Sequence, residues 1–253
     1  MTSRTAVPAS ADWQDAAAGL MTALRLSVAP VAITFTGTPA GGVPAFADPA
    51  APMPQPAPDG RTGRVPAGRV FWVHALERTF GTRPEDHGNC SVGSLTRGLI
   101  DLETAAQRAD VAALVEAGWV TPEIFPAIPV VTTRPVAITY GPLAEAAGRP
   151  DVVLLRTSPR GVMTIGDAVP DLVIEGKPQC HIIAIAKEPN RPAASVGCAL
   201  SRARTGMSAQ EMTCALPGER LEEIVAAIET AAAVDTTVAA YAGADARRFA
   251  EVS

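Results

Sequence analysis

Pro30-Val31-Ala32-Ile33-Thr34 recurs letter for letter as Pro135-Val136-Ala137-Ile138-Thr139, and an aromatic residue follows each copy. Each copy is a short apolar run introduced by proline and rich in β-branched residues, which is the pattern of a buried strand. A single five-residue match in a chain rich in alanine and valine carries little weight. The residues that follow the two copies extend the match.

A cysteine follows each copy at nearly the same distance. Cys90 lies 60 residues after Pro30, and Cys198 lies 63 residues after Pro135. Eight positions beyond each cysteine stands a glycine, Gly98 or Gly206, followed by a large apolar residue. The agreement indicates that the two cysteines occupy equivalent places in two related segments.

Two further positions bear on the repeat: one agrees between the two segments, and the other differs. An arginine stands just before each glycine, Arg97 in the first segment and Arg204 in the second. Eighteen residues before Cys198 is Cys180, whereas the same place before Cys90 holds Trp72. We therefore predict one globular unit over 1–253, built from two pseudo-symmetric α/β halves over about 11–120 and 121–235.

Hydrophobic periodicity supports the α/β class along the rest of the chain. Helical spacing of apolar residues predicts amphipathic helices over 11–27 and after Pro217-Gly218. Ser208 and Glu211 have the spacing of a capping box, a pattern typical of a helix start. Residues 37–68 contain eight prolines and several glycines, which predicts a long loop.

Composition excludes several classes of function. The net charge of −5 and the absence of a basic run disfavour nucleic acid as a partner. No uninterrupted apolar run reaches the length needed to cross a membrane, and the first ten residues lack the features of a signal peptide. We therefore expect a cytoplasmic protein. In a reducing compartment its four cysteines are expected to be metal ligands, reactive thiols or core residues, not disulfides.

Three of the cysteines are candidate metal ligands, namely Cys90, Cys180 and Cys198. The chain lacks the Cys-x-x-Cys spacing of thioredoxin-type sites and zinc ribbons. Thiolates from separate segments favour zinc, copper(I) or an iron–sulfur cluster. We predict a [4Fe–4S] cluster with three cysteine ligands and one open iron. Cys214, in the apolar stretch Met212–Leu216, is expected to be a core residue.

Polar residues near these cysteines suggest how a substrate would be handled. His87 is a candidate acid or base, and Asn89, Arg202 and Arg204 are candidates for binding a small anionic molecule. The expected chemistry is that of a lyase, a hydrolase or a sulfur transferase. Two alternatives stay open: a zinc protein that uses the cysteines with His87 or His181, and a non-catalytic module that binds a small ligand. The oligomeric state also stays open, with a homodimer as one option.

Several of these motifs together resemble the family called domain of unknown function 169. The resemblance rests on the early Pro-Val-Ala-Ile, the Cys-x-x-Gly at Cys90–Gly93, the lone Cys180 and the run Ser195–Arg202. It extends from about Leu20 to Thr230, and it implies no settled activity. It does imply that the three candidate ligands and Arg202 are family positions, and that Cys214 is not. Some members of the family carry a further cysteine near the position of Trp72, where this chain departs.

Overall fold

A seven-stranded mixed sheet forms the centre of the fold. The computed structural model describes residues 10–46, 68–87, 90–176 and 180–250, without the side chains of residues 10–12, 200, 201 and 204. The strands are β1 Val31–Thr36, β2 Phe80–Thr82, β3 Ala137–Pro142, β4 Val152–Thr157, β5 Val173–Glu175, β6 Ala193–Ser195 and β7 Met212–Pro217. Together with the helices below, they confirm the predicted α/β class.

Nine α-helices lie in the described part of the chain. They are α1 Ser10–Ala23, α2 Ala75–Glu77, α3 Ser91–Thr96, α4 Leu102–Ala106, α5 Ala109–Glu116, α6 Pro159–Ala168, α7 His181–Lys187, α8 Ala199–Thr205 and α9 Leu221–Ala250. A π-helical turn, Val70–His74, leads directly into α2. Short 3-10 turns lie at Pro84–His87, Pro122–Ala127, Leu143–Glu145 and Gly218–Arg220.

The two copies of the repeated pentapeptide are neighbours in the sheet. The strand order is β2-β3-β1-β4-β7-β6-β5, and every pair is antiparallel except β5 with β6. Thr34 lies directly opposite Thr139, its counterpart in the repeat, so a local twofold axis passes between them. The second segment adds three strands beyond β4, and the described residues contain no strand beyond β2. Duplication of the whole chain therefore stays a prediction.

Side chains alternate between the two faces of the sheet. Val153 and Leu155 of β4 pack with α1, α6 and α9 on one face. Val152 and Leu154 point the other way, into a cluster that includes Trp72 and residues of α7. This alternation is the period-two pattern of a strand buried on both sides. The sheet is therefore the middle layer of three.

A smaller apolar cluster lies beyond the second face and positions the candidate site. Helices α3, α4 and α5 contribute Val92, Leu95, Ala105 and Val111 to it. Cys90 and Cys180, which are partly exposed, pack against its edge. The first two cysteines thus lie where this helical layer meets α7.

Helix α9 begins inside the core and continues far beyond it. Leu221, Ile224, Val225 and Ile228 are buried as the sequence predicts, but the rest of the helix is largely exposed. Together with the preceding turn it is long and apolar enough to cross a membrane, and it is the one such helix in the described ranges. A single helix of this kind is weak support for a membrane protein, and the fold is compatible with a soluble one.

The capping box does not start a helix. Glu211 accepts a hydrogen bond from Ser208 N at 2.7 Å, as in a capping box, but the chain continues directly into β7. The next six residues fill the sheet between β4 and β6, so tertiary pairing overrides the local signal. Of the predicted loop over 37–68, residues 47–67 lie outside the described part of the chain.

Candidate metal and substrate site

Each candidate ligand immediately precedes a short helix. Cys90 stands before α3, Cys180 before α7 and Cys198 before α8, and all three are free and partly buried. Gly93 N donates a hydrogen bond to Cys90 Sγ at 3.3 Å. The three thiols therefore come from three separate elements, as their spacing in the sequence predicts.

The thiols lie within electrostatic range of one another. Burial raises the pKa of Cys180 to about 12, and the charges of Cys90 and Cys198 raise it further while Arg97 opposes them. Burial also raises the pKa of Cys90, and the charge of Cys198 adds to that rise. Interactions of this kind fall off within a few ångströms, so the three cysteines share one region.

This region is not a preformed site for a single metal ion. No group of three or more His, Cys, Asp or Glu side chains in the described ranges is arranged to hold one. Burial keeps the thiols of Cys90 and Cys180 protonated, and a metal needs them as thiolates. Metal binding here would therefore require loss of protons from these thiols.

Arg97 is a buried cation beside the thiols. It is only 5% exposed, it follows α3 directly, and its Nη1 donates to Gly93 O at 2.7 Å. Its guanidinium lies over the ring of Phe71, 5.6 Å from the centroid. Arg97 lowers the pKa of Cys90 and of Cys180, and it thereby favours their thiolate forms.

The Cys-x-x-Gly motif has a steric explanation. Arg97 Nη1 and Cys90 Sγ lie 3.0 and 3.2 Å from the position that a Cβ on Gly93 would occupy. A side chain at Gly93 would therefore press on the guanidinium and the thiol at once. Glycine here lets the cation and the sulfur approach the same backbone without either having to shift.

No carboxylate in the described ranges forms an ion pair with Arg97. Its Nε also lacks a hydrogen-bond partner there. Asp110, whose charge raises the pKa of Cys90, already accepts hydrogen bonds from Ser91 N at 2.9 Å and Ser91 Oγ at 2.6 Å. A buried guanidinium with a free donor is costly unless something accepts from it.

Arg97 is a site residue that the sequence did not reveal, because in the sequence it stands out only as a marker of the repeat, paired with Arg204. The signal that would have selected it is its place seven residues after Cys90. Seven residues are about two helical turns, so a long side chain at the end of α3 can reach back toward Cys90 at its start.

His87 is buried in the 3-10 turn before Cys90. Its Nε2 lies 2.8 Å from Thr82 Oγ1, and that hydroxyl donates to Ile138 O at 2.9 Å. Because the hydroxyl proton is already committed, His87 Nε2 carries the proton and donates. Burial, and then Arg97, lowers the pKa of His87 to about 3, so the ring is neutral at physiological pH. Asn89, the neighbouring candidate, lies outside the described residues.

Arg202 holds the loop that carries Cys198. Its guanidinium donates to the backbone carbonyls of Val196, Ser208 and Glu211. Gly197 has φ +103°, and a Cβ there would lie 2.8 Å from Arg202 Nη2. Arg202 is therefore a positioning residue for Cys198, and its role in binding an anion stays a prediction. The side chain of Arg204 lies outside the described part.

The side chains of His181 and Cys214 do not interact with the three thiols. His181 Nδ1 contacts Glu175 Oε2 at 3.1 Å, and no thiol is among the groups that shift its pKa. Cys214 is fully buried in β7 among core residues, as predicted. A cleft of about 580 Å³ lies between α1, α6 and α9, and no cysteine lines it.

The cysteine motifs lie in a segment that matches a known protein family. Residues 19–227 match the family designated domain of unknown function 169, described as "Uncharacterised ArCR". The chain belongs to this family. The match confirms the resemblance that the cysteine motifs indicated, and it covers most of the chain. Comparisons with the curated proteins and with the solved structures found no match.

Proposed function

We propose that this DUF169 protein is an iron–sulfur enzyme. Cys90, Cys180 and Cys198 would hold a [4Fe–4S] cluster, leaving one iron open toward a small anionic substrate. The observation that carries the proposal is that three thiols interact with one another, and that a buried cation without a carboxylate partner in the described ranges acts on two of them, Cys90 and Cys180. The expected reactions are those of a lyase, a hydrolase or a sulfur transferase.

The residues present fit such a cluster in their chemistry. Thiolates are the usual ligands of iron–sulfur clusters, and backbone N–H groups that donate to sulfur tune them. Gly93 N already donates to Cys90 Sγ. Arg97 favours the thiolate form of two of the ligands, which ligation requires. With one iron open, a bound cluster would supply a Lewis acid for an oxygen of the substrate.

Zinc is less well supported by the same residues. A tetrahedral zinc site brings its sulfur ligands to about 3.8 Å from one another. The described residues contain no such compact group. Of the two candidate histidines, His181 faces Glu175, and His87 could offer only Nδ1 because its Nε2 is hydrogen-bonded to Thr82. A four-iron cluster spans a larger space and suits thiols that interact without touching.

The protein's own residues would shape the reaction in defined ways. Neutral His87 has its free lone pair on Nδ1, where it can accept a hydrogen bond but holds a proton poorly at neutral pH. Arg202 fixes the backbone of the Cys198 loop through three carbonyls. Cytoplasmic localisation belongs to the proposal as well, since a reducing compartment keeps the three thiols available.

Anaerobic preparation from cells supplied with iron tests the proposal. We expect a brown protein with broad absorption near 400 nm and about four irons and four sulfides per chain. C90S, C180S and C198S should each lose most of the iron, while C214S, the matched control, should retain it. Colourless, iron-free wild-type protein would contradict the proposal. About one zinc per chain would support the alternative.

A further inference from the structure

Arg97, which acts on the thiols, has a second buried hydrogen-bond donor, Tyr140, beside it. Tyr140 is fully buried on β3, and its hydroxyl lacks a hydrogen-bond partner of good geometry among the described residues. The hydroxyl lies close enough to Arg97 to interact with its guanidinium. Arg97 Nε is likewise without a partner there. The strand and the end of α3 thus bring two donors together.

These two groups cannot satisfy each other. A guanidinium has no acceptor atom, so the proton of the Tyr140 hydroxyl cannot be donated to Arg97. Arg97 can donate to the Tyr140 hydroxyl oxygen, but the hydroxyl proton of Tyr140 would still lack an acceptor. Each buried donor without an acceptor destabilises the fold, because its hydrogen bond to water is lost and not replaced. Native proteins keep such groups rarely, and each one calls for an explanation.

The surrounding groups do not supply the missing acceptor. Thr82 Oγ1, the nearby hydroxyl, is bonded to His87 and to Ile138 O. The His87 ring centroid lies 6.0 Å from that of Tyr140, but no hydrogen bond joins the ring to the Tyr140 hydroxyl. The carboxylate of Asp110 is committed to Ser91. What the pair lacks is an acceptor that carries negative charge.

We propose that Arg97 and Tyr140 form a binding site for the oxyanion of a small ligand, of which a carboxylate is the best match. A planar carboxylate can accept from Arg97 Nε–H with one oxygen and from the Tyr140 hydroxyl with the other. The ring of Phe71 beneath the guanidinium holds it in one orientation. The assignment rests on the proposed function in one respect, because it names the substrate class of that same site.

Binding of simple anions tests the assignment without reference to iron or turnover. The wild-type protein would be titrated with acetate and oxalate by calorimetry and thermal unfolding, with sodium chloride at matched ionic strength as the reference. We expect the carboxylates to bind and to raise the melting temperature. Y140F should bind about tenfold more weakly, since it loses one hydrogen bond to a charged acceptor.

Two further variants separate binding from packing. Y241F changes an exposed tyrosine on α9 and should bind the carboxylates like the wild type. R97K keeps the charge but loses the planar pair of donors, and it should bind more weakly than the wild type. Y140F keeps the buried ring, so it remains informative even if R97K folds poorly.

The assignment is overturned if no carboxylate binds in the tens of millimolar range, or if Y140F binds as well as Y241F. Iron analysis of the same preparations keeps the two proposals apart. If the protein contains iron but does not bind carboxylates, the cluster proposal stands and the carboxylate site is refuted. If the protein lacks iron but binds carboxylates in a way that depends on Tyr140, the carboxylate site stands and the cluster proposal is refuted.

Discussion

Mild acid should destabilise this protein through His87. The ring is buried, and its pKa lies at about 3 because burial, and then the charge of Arg97, oppose its protonation. In the unfolded chain the same ring has an ordinary pKa of about 6.5. The perturbation is therefore a change of pH from 7.5 to 5, across the range in which only the unfolded chain takes up the proton.

The sign and the size follow from the two pKa values. Above pH 6.5 the ring is neutral in both states and has no effect on stability. As the pH falls below 6.5, proton uptake stabilises the unfolded chain alone, and this continues down to about pH 3. At pH 5 the free energy of unfolding should be lower by about 2 kcal/mol from this residue. That is a large part of the stability of an ordinary domain.

Urea unfolding at pH 7.5, 6 and 5 measures the effect. The protein should first be treated with a chelator, so that loss of bound metal does not contribute. H87Q keeps a donor for Thr82 Oγ1 and cannot be protonated, so the difference from the wild type isolates the histidine. We expect this difference to change by about 2 kcal/mol between pH 7.5 and 5. A constant difference would refute the burial and the neutral state assigned to His87.

Three further predictions concern the site and its support. In metal-free protein at pH 8, iodoacetamide should alkylate Cys180 about a hundredfold more slowly than after unfolding in urea, because its pKa is about 12; equal rates by peptide mapping would contradict this. G197A should lower stability by about 1–3 kcal/mol, since it places a side chain at φ +103° against Arg202, whereas G148A, at a position open to space, should have little effect on the melting temperature. C214S should cost about 1–3 kcal/mol by burying a hydroxyl in the sheet, yet leave iron content unchanged; loss of iron would place Cys214 in the site.

Periodicity predicted the elements that a strong apolar pattern defines. The buried positions of α1, such as Trp13 and Leu20, follow directly from their helical spacing. The same reasoning could not foresee that Ser208 and Glu211 close a turn and not a helix, because that depends on strands distant in sequence. Here, pairing with β4 and β6 outweighs the local preference of Ser208 and Glu211 for a helix start.

The candidate site shows a similar division. Repeat symmetry and spacing singled out three cysteines that the fold brings within electrostatic range. The arginines were harder to assign, because a sequence does not reveal which donors are already used. Arg202 donates to three backbone carbonyls. Arg97, which stands out in the sequence only as part of the repeat, is buried, and its Nε–H has no acceptor among the described residues.

The pairing of β1 with β3 has a consequence for folding. The two strands share the sequence Ala-Ile-Thr, followed in each by an aromatic residue, and they meet with Thr34 opposite Thr139. During folding, β1 of one molecule therefore presents to β1 of another the same edge that it presents to β3 of its own chain. Strand exchange between molecules competes with the native pairing without any change of register. Refolding yield should fall as protein concentration rises, and the lost fraction should be recovered as intertwined oligomers.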